Sequence, residues 1–426
     1  MKTCGLDVHK DTIFCAIYDG KDSKVEKFGS FTPDLQRMCD HIKQHSVDVV
    51  AMESTGIYID AIRTMLRRNG LKAVVVNPYL IKQMPGRKSD VKDSIWIAKL
   101  AYKQMLPSSF VPDTVLAELR TYTRGYSRYV KRQVQVLTAM DRILVSGGIR
   151  LSSVLSKIST KSFLDVAKAV ADGEEDPCKL AEHVHGRARN KPETMAALSG
   201  CMEERHRWQL RQALEEYALY QERISESQTK MEGLAEAHYH EEIRLIQTIP
   251  GISKTSAICI IAEIGSDMSA FGSSGRLCGW AGLRPRNDES AGKYKSTAIT
   301  KGGSNLKPML VQCAWGASRT KGSRFQAFFN RLVGRKSPKK AIIAVARKLL
   351  VTIYAILSNG VEYCPEKGNA QLTQRQLSSR MRYLRSQLER LELIAPSLIL
   401  NDHNSEKTVY LCGSACPSGS DDSVCK

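Results

Sequence analysis

The first 76 residues alternate short apolar runs with turn residues. "TCGLDV" reads as a short strand, and "TIFCAIY" and "VEKFGSF" read as its neighbours. Asp19, Gly20, Lys21 and Asp22 make the turn between the last two, so the three runs predict an antiparallel meander. Pro33 to His45 has helical spacing. "VDVVAME" is almost continuously apolar, as a central strand covered on both faces must be. Ile57 to Asn69 reads as a helix stopped by Gly70, and "AVVVNP" as a fifth strand closed by Pro78. A further helix begins near Ser89 or Asp90. In this order of elements, strands one and four are expected to be neighbours.

The pattern changes after residue 112. "ELRTYTRGYSRYVKRQVQVLTAMDRILV" and "RHRWQLRQALEEYALYQERISESQTKMEGLAEA" are two long amphipathic stretches, which predict an antiparallel arm or coiled-coil pair. Residues 151–200 between them are less periodic. "EEIRLIQTIPGISKTSAICIIAEIG" then reads as two apolar helices split at Pro250-Gly251 and opens a mostly helical unit. Residues 364–370 read as a linker and 371–394 as a charged helix. The last thirty or so residues are too rich in Ser and Asp to bury a core. The expected domains are 1–112, a mixed-sheet α/β unit; 113–240, a helical region for assembly; 241–365, a helical unit; and 366–426, a helix and tail.

Charge narrows the possible partners. The 426 residues carry 63 Lys+Arg against 44 Asp+Glu, a formal net charge of +19. An excess of that size points to a polyanion, either nucleic acid or an anionic membrane. No uninterrupted apolar run approaches the ~20 residues of a membrane span, and "MKTCGLDVHK" lacks the apolar core of a signal peptide. The expectation is therefore a cytoplasmic, nucleoid-associated protein with nucleic acid and no membrane as partner. Twelve scattered cysteines with no C-x-x-C pair are expected to be reduced thiols.

Against that basic background, "GRKSDVKDSIWIAK" (86–99) plants two acids at a helix start. Asp90 and Asp93 are spaced i, i+3 and so share one helix face. Either alone reads most simply as a cap or first-turn acid complementing the helix dipole. Asp7 on the first strand and Glu53 at the end of the fourth change that balance. A carboxylate ending an apolar strand is costly without a partner, and four carboxylates converge only around a cation. Oxygen ligands suit Mg²⁺ or Mn²⁺. Two such ions, roughly 3.5–4 Å apart, can clamp a phosphodiester, with Arg87 and Lys88 as contacts to it.

A second signal lies in residues 275–348, which hold seventeen Lys+Arg and only two acids, Asp288 and Glu289. Such a stretch suits phosphate binding with strong salt dependence. "TIPGIS" has the form of a helix-hairpin-helix turn, in which Gly251 and the amides near Lys254 can approach a phosphate. As residue types, Ser290, Ser296, Thr300 and Ser304 are equivalent turn hydroxyls.

"GLDVHKDTI", "AMESTG" and "KSDVKDSIWIA", with "GWAGLRPRNDESAGKYKSTAITKGGSNLKPMLVQCAWGASRTKGS" further on, resemble the motifs of the insertion-sequence 110 family of transposases. The resemblance spans residues 1–365. It implies a ribonuclease H-like (RuvC-like) domain whose acidic tetrad falls on Asp7, Glu53, Asp90 and Asp93. It also implies a mostly helical transposase domain whose serine nucleophile falls on Ser290. Arg284, Arg286, Lys293 and Lys295 would stabilise the charge at phosphorus, and Lys301 would contact nucleic acid. "TKGGSNLKP" departs slightly from the family's basic-Gly-Asn-x-x-Leu-Arg pattern, a change expected to tune substrate contacts. The implied activity is cutting and rejoining DNA through a covalent phosphoserine, guided by an element-encoded bridge RNA, in a dimer or tetramer. The alternatives are a metal-dependent Holliday-junction-type resolvase without serine chemistry, or a non-catalytic nucleic-acid scaffold.

Overall fold

The computed structural model describes residues 1–54, 56–76, 89–106, 110–285, 288–290, 293–296, 298–300 and 302–365, together with Ser378, Met381, Arg382, Arg385, Ser386 and Glu389. Met1–Tyr363 form one compact unit. The helix expected over 371–394 falls mostly outside the described residues, as does the tail beyond it.

Five strands make one sheet: β1 (Thr3–Val8), β2 (Thr12–Tyr18), β3 (Ser23–Gly29), β4 (Val49–Glu53) and β5 (Ala73–Val76). Their order is β3-β2-β1-β4-β5. β1, β2 and β3 are an antiparallel meander, and β4 and β5 run parallel to β1. The first and fourth strands are thus neighbours, as the element order requires.

The alternation within β1 assigns its two faces. Cys4, Leu6 and Val8 pack with Leu35, Met38 and Ile42 of α1 (Thr32–Gln44) and with Ile59, Ile62 and Leu66 of α2 (Tyr58–Arg68). Thr3, Gly5 and Asp7 lie on the other face, which α3 (Asp90–Tyr102) covers. Thr3 Oγ1 donates to Ala98 O at 2.9 Å, and Ala51 and Val76 pack with Ile97 and Ala101. Gly5 lets the helix sit this close. A Cβ there would lie 2.2 Å from Ser94 O and 2.4 Å from Ala98 N, both backbone atoms that cannot move aside. Gly5→Ala should therefore lift α3 off the sheet and destabilise the protein by about 1–3 kcal/mol, the usual cost of overpacking. A thermal melt of that variant superimposing on the wild-type curve would contradict the packing described.

The long amphipathic stretches form α4 (Thr114–Ser146) and α10 (Glu204–Gln247), packed antiparallel. Leu116 and Leu119 meet Met231 and Ala235 at one end, and Tyr129 stacks on Tyr220 (6.4 Å) further along. Where the pattern suggested a new helix after residue 240, α10 runs on to Gln247. Only Tyr239, at φ −138° and ψ 24°, kinks it.

Residues 151–200 are more ordered than their weak periodicity suggested. They fold into α5 (Leu151–Val154), α6 (Lys161–Ala171), α7 (Pro177–Glu182), α8 (Gly186–Arg189) and α9 (Thr194–Leu198). These short helices share a separate core of Phe163, Val166, Val170, Leu180 and Leu198 with Leu144 and Leu210 of the long pair.

The remaining unit contains α11 (Lys254–Ile264), α12 (Ser274–Trp280), the hairpin β6 (Asp288–Ser290) and β7 (Lys293–Ser296), α13 (Leu306–Arg319), α14 (Arg324–Val333) and α15 (Pro338–Asn359). The hairpin was not among the expected elements. A second correction concerns α15, which is long and apolar enough to cross a membrane. Ile342, Val345, Leu349, Leu350, Ile353 and Ile356 are buried in the core of this unit, so its apolar face is spent inside the protein. The described cysteines are free thiols.

Candidate functional site

The end of β1 and the start of α3 meet over the sheet. Ser89 is the N-cap of α3 (φ −149°, ψ 146°), its side chain accepting from Lys92 N at 3.4 Å. The cap is therefore not Asp90. Asp90 and Asp93 occupy the first turn, where the helix dipole favours negative charge. Packing of α3 on Gly5 and Thr3 points that turn at Asp7.

Asp7 is more enclosed than Asp90, its side chain 13% exposed against 52%. His9 joins them: its Nε2 lies 3.2 Å from Asp7 Oδ2 and 3.5 Å from Asp90 Oδ1. One ligand atom from each of Asp7, His9 and Asp90 lies within 4.8 Å of the others. Burial pushes the Asp7 carboxyl above the usual carboxylate range; His9 opposes the rise, and the charges of Asp90 and Asp93 add to it. Acids held together against their own repulsion form a ready binding place for a cation. Carboxylate oxygens with one imidazole suit a divalent ion.

Glu53 ends β4 one residue past the Leu6↔Met52 pair, on the strand beside Asp7. Parallel register puts it on the same face as Ala51, the face that α3 covers. Its carboxylate is not in the tight Asp7–His9–Asp90 group, and neither is that of Asp93. Thus Asp7 and Asp90 are brought together, Asp93 is near enough to act on Asp7, and Glu53 is on the adjoining strand. His9 was missed from sequence, although the signal was present: two residues past Asp7, strand periodicity returns to the same face.

The serine region is a separate place in the fold. Ser290 is the last residue of β6, in register with Lys293 at the start of β7. Arg284 is exposed just before the hairpin, whose base is tied by the Pro285↔Ile299 bridge. Gly302 and Gly303 pass close to the backbone at the end of α12. Cβ atoms at Gly302 and Gly303 would lie 2.7 Å from Trp280 O and 2.4 Å from Ala281 O. Arg87, Lys88, Arg286 and Lys301 lie outside the described residues, as do the side chains of Ser290, Lys293 and Lys295.

At the "TIPGIS" turn, Gly251 has φ +85°, and a Cβ would lie 2.3 Å from Ala317 N of α13. Its close backbone approach is thus to α13. Ser253 caps α11, accepting from Ser256 N, and Lys254 Nζ reaches Glu236 Oε2 at 3.4 Å.

Comparison with known proteins finds two family matches in one order. Residues 4–147 match the DEDD model of IS110 transposases, described as "Transposase". Residues 243–330 match the transposase IS116/IS110/IS902 family. Among curated relatives, the pilin gene-inverting protein of Moraxella bovis is 36% identical over 116 residues, 26% of this chain and 36% of that protein. The transposase for insertion sequence element IS1111A of Coxiella burnetii is 27% identical over 146 residues, 33% of this chain and 39% of that protein. The matches span about two-fifths of the length of these relatives.

Proposed function

The chain belongs to the IS110 family of transposases, and on that premise we propose that it is an insertion-sequence recombinase that cuts and rejoins DNA strands. The observation that carries the reading is the convergence of Asp7 and Asp90, from β1 and α3, on one sheet face within the first family match. The strand order β3-β2-β1-β4-β5 suits a ribonuclease H-like domain with this site at the ends of its two central strands.

In this reading Asp7, Glu53, Asp90 and Asp93 would hold Mg²⁺ or Mn²⁺, two ions per site. Such ions would supply charge neutralisation at a phosphodiester and activation of an attacking hydroxyl. Asp7 is the enclosed anchor, and the dipole of α3 steadies Asp90 and Asp93 between turnovers.

Ser290 Oγ then attacks phosphorus, its proton leaves to a base, and the phosphodiester's P–O bond breaks to release a strand hydroxyl. The resulting phosphoserine keeps a phosphoester that a second strand's hydroxyl can attack, which regenerates the serine. Arg284, Arg286, Lys293 and Lys295 stabilise charge at phosphorus. A bridge RNA supplies the sequence recognition, the protein reading backbone and shape. A dimer or tetramer, assembled through the α4–α10 arm, holds the DNA ends.

The deciding experiment traps the adduct. The protein, its cognate RNA, a suicide DNA substrate and Mg²⁺ are combined and run on a denaturing gel. A protein–DNA species that disappears in Ser290→Ala is the expected result. Undiminished cleavage by Ser290→Ala, with no adduct in the wild type, would instead assign a resolvase that uses the carboxylates alone.

A further inference from the structure

A cleft of about 1160 Å³ separates α2 and β5 from the first turns of α4. Arg63 and Arg67 of α2, Lys72 before β5, and Arg120 and Arg124 of α4 line it, against two acids, Asp60 and Asp113. The acids are already engaged. Asp113 caps α4 by accepting from Leu116 N at 2.7 Å, and Asp60 lies 3.6 Å from Arg63. Arg120 and Arg124 are engaged too, with the C-terminal end of α11. That leaves Arg67 and Lys72, both exposed. Arg67 Nη1 donates to Thr114 Oγ1 at 2.6 Å, and Lys72 has no ion pair among the described residues.

Two half-buried aromatic rings, Phe110 and Trp280, also line the cleft, edge to face at 6.2 Å. The Arg120 guanidinium lies over the Phe110 ring at 5.2 Å and Phe271 packs against it at 5.0 Å, so Phe110 backs Trp280 at the cleft wall. A groove with cations and an aromatic wall suits a nucleic acid strand with unpaired bases: phosphates track the cations and a base stacks on the ring. A duplex, with its bases already stacked inward, cannot use the ring. Ser54, which follows Glu53 at the end of β4, lines the same cleft.

We propose that this cleft binds a single strand of nucleic acid, with Arg67 and Lys72 as phosphate contacts and Trp280 as the stacking ring. The proposal rests on the recombinase reading only for the identity of the polyanion.

The test uses the full chain in EDTA, where metal-dependent cleavage does not occur. Fluorescence anisotropy is followed with a mixed-sequence single-stranded DNA, an RNA of the same sequence, and the DNA duplex. Arg67→Glu/Lys72→Glu is compared with Lys157→Glu/Lys168→Glu, an equal charge change on the exposed surface of the α5–α9 region. The cleft variant should bind single strands at least about tenfold more weakly, with a salt slope shallower by about 1.4 for two lost phosphate contacts. The control and the duplex affinity should scarcely change. Whichever of DNA or RNA is held more tightly identifies the strand.

Equal losses in both variants, no loss in the cleft variant, or a loss confined to the duplex would each overturn the proposal. If the double variant melts early, Arg67→Gln and Lys72→Gln separately should each remove about 0.7 from the slope, and unchanged slopes would overturn it as well. Cleavage by Asp7→Asn in Mg²⁺ tests the carboxylate reading independently, so failure of one reading is distinguishable from failure of the other.

Discussion

Replacing Asp7 with asparagine is expected to lower strand cleavage by about a hundredfold to a thousandfold while the fold survives. Asparagine keeps the volume of the side chain and a hydrogen-bonding group facing His9, but it removes the charge. Asp7 is more withdrawn from water than Asp90, and the charges of Asp90 and Asp93 both act on it. Burial holds its carboxyl above the usual carboxylate range. A carboxylic acid whose pKa is higher in the folded state than in the unfolded one makes folding less favourable as pH rises through that range. Neutralising Asp7 should therefore leave the melting temperature at neutral pH unchanged or slightly higher. Cleavage of end-labelled DNA and a melt followed by circular dichroism would be read together. Cleavage within about tenfold of wild type would remove Asp7 from the chemistry. A collapsed melt would make it a structural residue instead.

The same site shows which links from sequence to structure can be read directly. The adjacency of Asp7 and Glu53 was legible because an almost wholly apolar "VDVVAME" must be a central strand, and its place in the element order leaves it beside β1. The approach of α3 depends on Gly5, whose importance lies in two backbone atoms of a helix some ninety residues later. Nothing local marks that meeting. His9 was within reach of the period-2 rule but lies just past the strand, where the pattern stops being counted. The failure at residue 240 is of another kind. Tyr239 leaves helical geometry while the chain continues as helix on both sides, so a pattern break there did not mean an end. Ser290 stands apart again: its place on a short strand depends on pairing across a turn, for which "NDESAGKYKS" has no strong alternation.

Arg124→Ala should destabilise the compact unit by about 3 kcal/mol, the low end for breaking a buried ion pair because the Arg124 side chain is 48% exposed. The reason lies in a residue that the sequence shows plainly but does not explain. Glu263 is the only charge in "AICIIAEIG", and its side chain is 8% exposed on the buried helix α11. A carboxylate there needs a partner, and Arg124 provides both of its hydrogen bonds, Nε to Oε1 at 2.8 Å and Nη2 to Oε2 at 2.9 Å. One turn earlier, Arg120 Nε donates to Ala262 O at 2.6 Å, meeting the carbonyls at the end of α11. Burial lowers the Arg120 pKa to about 10, which still leaves it charged at neutral pH. Two turns of α4 are thus fastened to α11, Arg124 across 139 residues of sequence and Arg120 across 142. Removing the Arg124 guanidinium leaves a buried negative charge, whereas Glu263→Gln leaves a neutral amide and an arginine that can turn to water. Arg124→Ala should accordingly cost more than Glu263→Gln. Arg124→Leu combined with Glu263→Leu should recover most of the loss, since an apolar pair avoids the desolvation cost. Thermal denaturation of the four proteins gives the ordering. If Arg124→Ala and Glu263→Gln melt together with the wild type, the pair does not hold α4 to α11.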